Sequence, residues 1–195
     1  MSTLYADPGF GRGQTLGITV KLYEAENGDG TTVIGARKAF RDESPITGVI
    51  NSNRTVECIA VKNSSGAALL PGEIAMFQSA ASADIPTVGG ILGEIKAKAN
   101  TTTPTGANAA LFGVVDEYLP SGGAANGEVF WLVVRGPSTV RKTSTAVSAG
   151  AAYGPSATDG QAAAQGANAL LGYAISDAGT GTTTGRVLVR TTAGF

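Results

Sequence analysis

Histidine is absent from this 195-residue sequence, and cysteine occurs only once, as Cys58. Without histidine the chain lacks the commonest general base, the usual partner of a nucleophile and the commonest metal ligand. A single cysteine can form neither an internal disulfide nor a thiolate metal cluster. Cys58 alternates with Val56 and Ala60 in an apolar segment, so we interpret it as a buried packing thiol. These absences argue against an enzyme, and the sequence predicts no metal site and no cofactor.

Charged residues are also scarce, at 15% of the chain, and 14 basic residues nearly balance 15 acidic ones. Nucleic-acid-binding proteins normally carry a basic excess that neutralises phosphates, so DNA and RNA are not expected partners. A surface this poor in charge favours coverage by other subunits, which predicts a homo-oligomer.

Long apolar runs are missing too. None approaches the ~20 residues that a membrane-spanning helix needs, so no membrane association is expected. The first residues, MSTLYADP, lack the basic and apolar regions of a secretory signal. We therefore expect the protein to be made and kept in a cytoplasm until something releases it.

Glycine, in contrast, is abundant, with 28 residues. From about residue 54 onward, turn-forming residues separate short apolar segments at short intervals. This spacing predicts an all-β body, either a β-sandwich or a small β-barrel. Strands are predicted at residues 56–62, 73–78, 91–97, 110–118, 127–135, 138–142, 170–176 and 185–191.

Residues 1–50 have a different pattern. One strand is predicted at 18–23, a turn at 27–30, and a short helix over the charged residues 36–43 that ends before Pro45. The turn could also supply Asn27 and Asp29 to a Ca²⁺ ion, although the spacing is not that of an EF-hand. So short a segment buries too little surface to be stable alone. We predict that residues 1–50 are an extended arm and that residues 51–195 are the body.

The body contains an internal repeat. The segment GANAALFG at 106–113 recurs as GANALLG at 166–172, and GEVFWLVVRG at 127–136 corresponds to GRVLVR at 185–190. Upstream, LPGEIA at 70–75 is echoed by SAGAAY at 148–153. Two related β units are therefore predicted, at about 68–136 and 146–195, the first with an insertion near 89–105. With only two copies, the chain is not a solenoid.

The predicted strand at 127–135 is apolar on both faces, since side chains alternate along a strand. One face carries Trp131, which is more typical of a core or an interface than of a sugar platform. The other face must be covered by the arm, by the insertion or by a neighbouring subunit. The candidate interface comprises this second face and the apolar face of the arm strand: Ile18, Val20, Leu22, Phe130, Leu132 and Val134.

Asp116 and Glu117 are the most conspicuous carboxylate pair. Paired carboxylates can hydrolyse glycosides, but neighbouring residues on a strand point to opposite faces and cannot flank one bond. We interpret them as the solvated end of a strand, and the sequence predicts no catalytic residue.

Three segments resemble a known family. They are LPGEIA at 70–75, LFGVVDE at 111–117, and the ending that runs from LGYA at 171–174 to GRVLVR at 185–190. These segments are similar to small, Gly/Ala/Thr-rich bacteriophage virion proteins that decorate or cement the capsid, and the resemblance covers residues ~56–195. It implies a structural protein on the capsid exterior, often a trimer, whose partners are the major capsid protein and further copies of itself. It carries over no catalytic residue.

Two other functions are considered. A tail-fibre or receptor-binding head is also all-β and trimeric, but it would favour a repetitive shaft or exposed aromatic clusters, and aromatic residues are 6% of this chain. A tail-associated glycosidase would need the carboxylate pair that the sequence does not provide.

Overall fold

The computed structural model describes residues 16–21, 34–77, 93–95, 97–99, 112–165 and 170–191. The fold is all-β, as the sequence predicts, and every described strand belongs to one strongly curled sheet. This sheet forms a half-barrel, so of the two predicted architectures the β-barrel is closer to the observed fold than the β-sandwich. Its strand pairs are antiparallel except for one short parallel pair, Lys62↔Glu94 and Asn63↔Ile95.

The described part of the chain contains twelve strands. They are β1 (Val20–Lys21), β2 (Arg37–Glu43), β3 (Ile50–Asn63), β4 (Ile74–Met76), β5 (Glu94–Ile95), β6 (Ala97–Lys98), β7 (Phe112–Val115), β8 (Glu128–Arg141), β9 (Ala152–Pro155), β10 (Ala162–Ala164), β11 (Gly172–Ala174) and β12 (Thr184–Arg190).

Each segment of the body that was predicted as a strand contains an observed strand. Two of them, 127–135 and 138–142, are one continuous strand, β8. The strands β9 and β10 were not predicted. The helix predicted over 36–43 is wrong, because these residues form β2 and pair with β3 from Arg37↔Ile59 to Glu43↔Ile50.

The two segments predicted as related β units lie on opposite halves of the main path of the sheet. Along its main path the strand order is β10-β9-β11-β12-β8-β7-β4-β6, so each unit contributes four strands in the same order from edge to centre. Equivalent turns make equivalent hydrogen bonds. Gly72 N–H donates to the Val115 carbonyl (3.0 Å), and Gly150 N–H donates to the Ala174 carbonyl (2.9 Å). The two units meet where β12 pairs with β8.

A glycine in one strand of each unit makes the same close approach. A Cβ on Gly113 of β7 would lie 2.7 Å from the Val133 carbonyl oxygen, and a Cβ on Gly172 of β11 would lie 2.1 Å from that of Leu188. Gly113 and Gly172 align in the sequence repeat, and Val133 and Leu188 are also equivalent. Tight packing between neighbouring strands therefore explains why both units carry glycine here.

Strand β8 is buried on both faces, as predicted. Val129, Trp131 and Val133 lie in one hydrophobic cluster, and Phe130, Leu132 and Val134 lie in a second. The chain itself covers the second face, and the predicted insertion contributes through β5. The cluster on that face also contains Ile59 and Val61 of the neighbouring strand β3, together with Leu69, Ile95 and Leu119.

Residues from the predicted arm cover the Trp131 face. Leu16 is buried there, Ile18 packs against the same cluster, and the rings of Phe40 and Trp131 meet edge to face with centroids 5.2 Å apart. The structure thus places Arg37–Glu43 in the sheet as β2, and an arm ending at residue 50 does not describe these residues. The predicted turn at 27–30 lies outside the described residues.

Candidate interaction surface

A protruding hairpin is formed by the ends of β2 and β3 and the loop between them. Residues 44–55, which we call the hairpin tip, are mostly exposed. The pairing of β3 with β8 begins at Glu57, so in the described structure residues 50–55 have only β2 as a neighbouring strand. The loop is closed by main-chain hydrogen bonds from Ser44 N–H to the Val49 carbonyl (2.9 Å) and from Gly48 N–H to the Ser44 carbonyl (2.8 Å).

The hairpin tip carries an exposed aliphatic cluster. Ile46, Val49 and Ile50 are 77%, 57% and 47% exposed. Among the described residues only two other large apolar side chains, Tyr173 and Ile175, are comparably exposed. Apolar side chains concentrated on a projecting loop are typical of a contact with another protein.

A partly buried ionic network anchors the base of this hairpin. The Arg186 guanidinium of β12 lies 2.5 Å from Asp42 Oδ1 of β2 and 2.5 Å from Glu117 Oε1. The Ser52 hydroxyl, from the exposed part of β3, donates to Asp42 Oδ2 (2.6 Å). Glu117 also accepts from Thr139 N–H of β8 (3.1 Å). The hairpin is therefore tied to both β units.

A second set of contacts joins the N-terminal segment to the same region. Asp116 accepts hydrogen bonds from Gly17 N–H (2.5 Å) and Tyr118 N–H (3.0 Å). The Asn51 side chain of the hairpin tip donates to the Tyr118 hydroxyl (2.7 Å). Burial raises the pKa of Asp116 to about 6 and that of Tyr118 to about 12.

The sequence singled out Asp116 and Glu117 but did not identify their roles. As expected for neighbouring residues, they diverge: Asp116 binds backbone amides and Glu117 binds Arg186. Neither is the solvated strand end that we expected, because Asp116 is fully buried. The parts that sequence reasoning missed are Arg186 and Asp42, which are 144 residues apart and show no spacing that could have linked them.

The predicted interface residues do not form one surface. Phe130, Leu132 and Val134 are 0%, 0% and 1% exposed within this single chain, so they belong to its core and the expectation that they contact a partner is corrected. Ile18 packs on the opposite face of β8, and the Val20 backbone pairs with Val129. Leu22 lies outside the described residues.

Other singled-out residues have structural roles. Cys58 is buried, and that burial raises the pKa of its thiol well above the ordinary value, so the reactive thiolate is disfavoured. Trp131 is a core residue. Asn27 and Asp29 lie outside the described residues. In the described ranges, no group of three or more cysteine, histidine, aspartate or glutamate side chains is placed to hold a metal ion.

Comparison with protein-family models, with curated proteins and with solved structures finds no match for this chain. Within the described residues no helix is long and apolar enough to cross a membrane.

Proposed function

We propose that this chain is a non-enzymatic structural protein of a phage virion, which binds the outer surface of the capsid and bridges neighbouring major capsid proteins. The observation that best supports a binding role is the hairpin tip, with its exposed cluster of Ile46, Val49 and Ile50 on a hairpin anchored by partly buried ion pairs. The resemblance of the body segments to capsid decoration proteins supports the choice of partner.

The mechanism is mechanical. An anchored hairpin can insert aliphatic side chains into a partner without first losing much conformational freedom, because its base is already held by Asp42 and Arg186. Several such tips, presented by a homo-oligomer, would engage several capsid subunits at once, and all these contacts must break together before the shell opens. A trimer on the capsid exterior is the expected assembly. The second face of β8 does not require a neighbouring subunit, since the chain covers that face itself.

A structural role also agrees with the use of the carboxylates. Asp42, Asp116 and Glu117 are each held by hydrogen bonds or ion pairs that join segments of the fold. No cofactor and no nucleic acid enters the proposal.

The test is sedimentation of purified protein with mature phage capsids, together with its copy number relative to the major capsid protein in virions. Near-stoichiometric, saturable binding is expected. Replacing Ile46→Ser and Val49→Ser should weaken binding at least tenfold, since each buried aliphatic side chain contributes ~1.5–3 kcal/mol. The matched control is Tyr173→Ser with Ile175→Ser, which removes comparably exposed apolar side chains from another part of the surface.

Equal losses in the two double variants would remove the hairpin tip from the proposal. Failure to bind capsids, combined with binding to tails or to host cells, would favour the receptor-binding head instead. Light scattering of the purified protein tests the trimer, and a stable monomer at micromolar concentration would contradict it.

A further inference from the structure

A groove of about 530 Å³ lies near Arg135 of β8, where β3 pairs with one edge of that strand and β12 pairs with the other. The pairing of β3 with β8 ends at Glu57↔Arg135, and the pairing of β12 with β8 starts at Arg190↔Arg135. The described residues that line the groove are Asn53, Arg54, Thr55, Glu57, Arg135, Gly136, Pro137, Leu188, Val189 and Arg190.

Two arginines of this groove are equivalent positions of the internal repeat. Val133-Val134-Arg135 of the first unit aligns with Leu188-Val189-Arg190 of the second, and the junction between the units sets Arg135 directly opposite Arg190. Like charges in such a cross-strand pair destabilise a sheet. The fold therefore brings together two cations that repel each other unless an anion lies between them.

The carboxylate present in the groove compensates for only part of this charge. Glu57 lies opposite Arg135 on the other side, with 3.5 Å between Oε1 and Nη1, and both side chains are largely exposed. Arg54 and Arg190 have no ion-pair partner among the described residues. Three arginines against one glutamate leave a local charge of +2 (3 − 1) in a chain whose net charge is −1.

The adjoining strand edge indicates the shape of a ligand. Residues 50–55 of β3 lead from the hairpin tip into the groove, and in the described structure their edge away from β2 has no neighbouring strand. An extended peptide can add to such an edge through main-chain hydrogen bonds while its side chains enter adjacent pockets. Guanidinium groups at the end of that edge select carboxylates, which they bind bidentately.

We propose that this groove, lined by Arg54, Arg135 and Arg190, binds an acidic peptide segment of the protein that the hairpin tip contacts. The inference rests on the proposed function, because it names the chemistry of the capsid partner. A segment with two or more carboxylates bridges Arg135 and Arg190 and relieves their repulsion, while the hairpin tip binds an apolar site beside it.

The experiment measures binding of fluorescently labelled oligoglutamate to the full chain by anisotropy, with oligoglutamine of the same length as the neutral comparison. Oligoglutamate should bind, and its affinity should fall as salt rises. Arg135→Gln and Arg190→Gln should each weaken it roughly fivefold or more, as expected for loss of a charge-assisted contact. Lys62→Gln is the matched control. It removes the same charge from β3 at a position ~26 Å along the strand from Arg54, where Lys62 forms a partly exposed ion pair with Glu94.

Equal affinity for the two peptides, or unchanged affinity in the Arg54, Arg135 and Arg190 triple glutamine variant, would overturn the proposal. So would tighter binding of a single-stranded oligonucleotide of equal charge, which would assign the groove to nucleic acid. Capsid sedimentation separates the two proposals. A triple variant that loses oligoglutamate but keeps capsid binding contradicts the acidic capsid segment and leaves the proposed function standing. A wild-type chain that binds oligoglutamate but no capsid supports the groove and contradicts the proposed function.

Discussion

Tyr153 of β9 is fully buried, and its hydroxyl has no hydrogen-bond partner among the described residues. The hydroxyl also limits its neighbour, because a Cβ on Gly185 of β12 would lie 2.5 Å from it. The next atom of the tyrosine ring would be 3.4 Å from that Cβ, an ordinary contact. One oxygen atom therefore accounts both for an unsatisfied polar group and for the need for glycine at position 185.

Two substitutions test this pair. Tyr153→Phe should leave stability unchanged or raise it by up to about 1 kcal/mol, because it removes a desolvated, unpaired hydroxyl. Gly185→Ala should lower stability by about 1–3 kcal/mol through overpacking. In the Tyr153→Phe background Gly185→Ala should cost clearly less, and urea denaturation of the four proteins gives the coupling energy directly. Additive effects would show that the glycine is required for another reason.

Asp116 makes stability depend on pH. Burial raises the pKa of this carboxyl from 3.8 to about 6, so between these values the folded chain keeps a proton that the unfolded chain has lost. Stability therefore falls as pH rises through this window. Relative to Asp116→Asn, which stays neutral, the wild type should lose on the order of 3 kcal/mol between about pH 3.5 and pH 7. Parallel stability curves for the two proteins would contradict the assignment.

At the scale of elements, β2 illustrates what the sequence could and could not predict. Its charged residues favour a helix locally, yet Lys38, Phe40 and Asp42 turn toward the body while Arg37, Ala39 and Arg41 are exposed. This alternation of side chains was present in the sequence. Because two of the three inward residues are charged, it was not recognised as the buried face of a strand. Pairing with β3 and the distant ion pair with Arg186 decide the conformation, and neither is a local signal.

Strand β8 is one continuous strand, whereas the sequence predicted two strands with a break at Gly136-Pro137. Thr139 and Arg141 lie two and four residues after Pro137. Their N–H groups donate hydrogen bonds to the Glu117 side chain and to the Gly72 carbonyl, respectively. The alternation of a strand directs the Pro137 nitrogen to this same edge, where no described strand pairs with it, so its missing donor costs nothing. In contrast, the two-sided burial of β8 was predictable, because apolar side chains on both faces of a strand can be recognised from consecutive residues of the sequence.

The anchor of the hairpin should respond differently to two neighbouring substitutions in β2. Asp42→Asn removes one partner of a buried ion pair and should destabilise the protein by about 3 kcal/mol. Arg41→Gln removes a partner of the exposed Arg41–Glu43 pair, 3.9 Å apart, and should cost less than about 0.5 kcal/mol. Thermal or urea unfolding measures both, and Asp42→Asn should also speed proteolysis within residues 44–49. Similar small effects of the two variants would mean that the network does not hold the hairpin.

For the whole molecule, the two β units do not close the core by themselves. Each contributes four strands to the curled sheet, but the face that contains Trp131 is completed by residues that precede both units. Leu16 and Phe40 cover it, Gly17 N–H binds the buried Asp116, and Asp42 compensates the charge of Arg186. The N-terminal segment thus contributes to folding as well as to the hairpin tip.

Deletion of residues 1–50 tests this dependence. It removes β2 and every contact just named, including the packing of the partly buried Phe40 ring on Trp131 and the ion pair of Asp42 with Arg186, which together cost about 3–6 kcal/mol. Since whole domains are stable by only about 5–15 kcal/mol, the truncated chain should not fold cooperatively. Trp131 is the single tryptophan and is fully buried, so its fluorescence reports the outcome directly. We expect red-shifted emission, dye binding to exposed apolar surface and no cooperative melting.

Deletion of residues 1–15 removes none of these contacts and is the matched control, with native emission expected. A chain without residues 1–50 that keeps native Trp131 emission and melts cooperatively would restore the boundary at residue 50 and make this segment an arm after all.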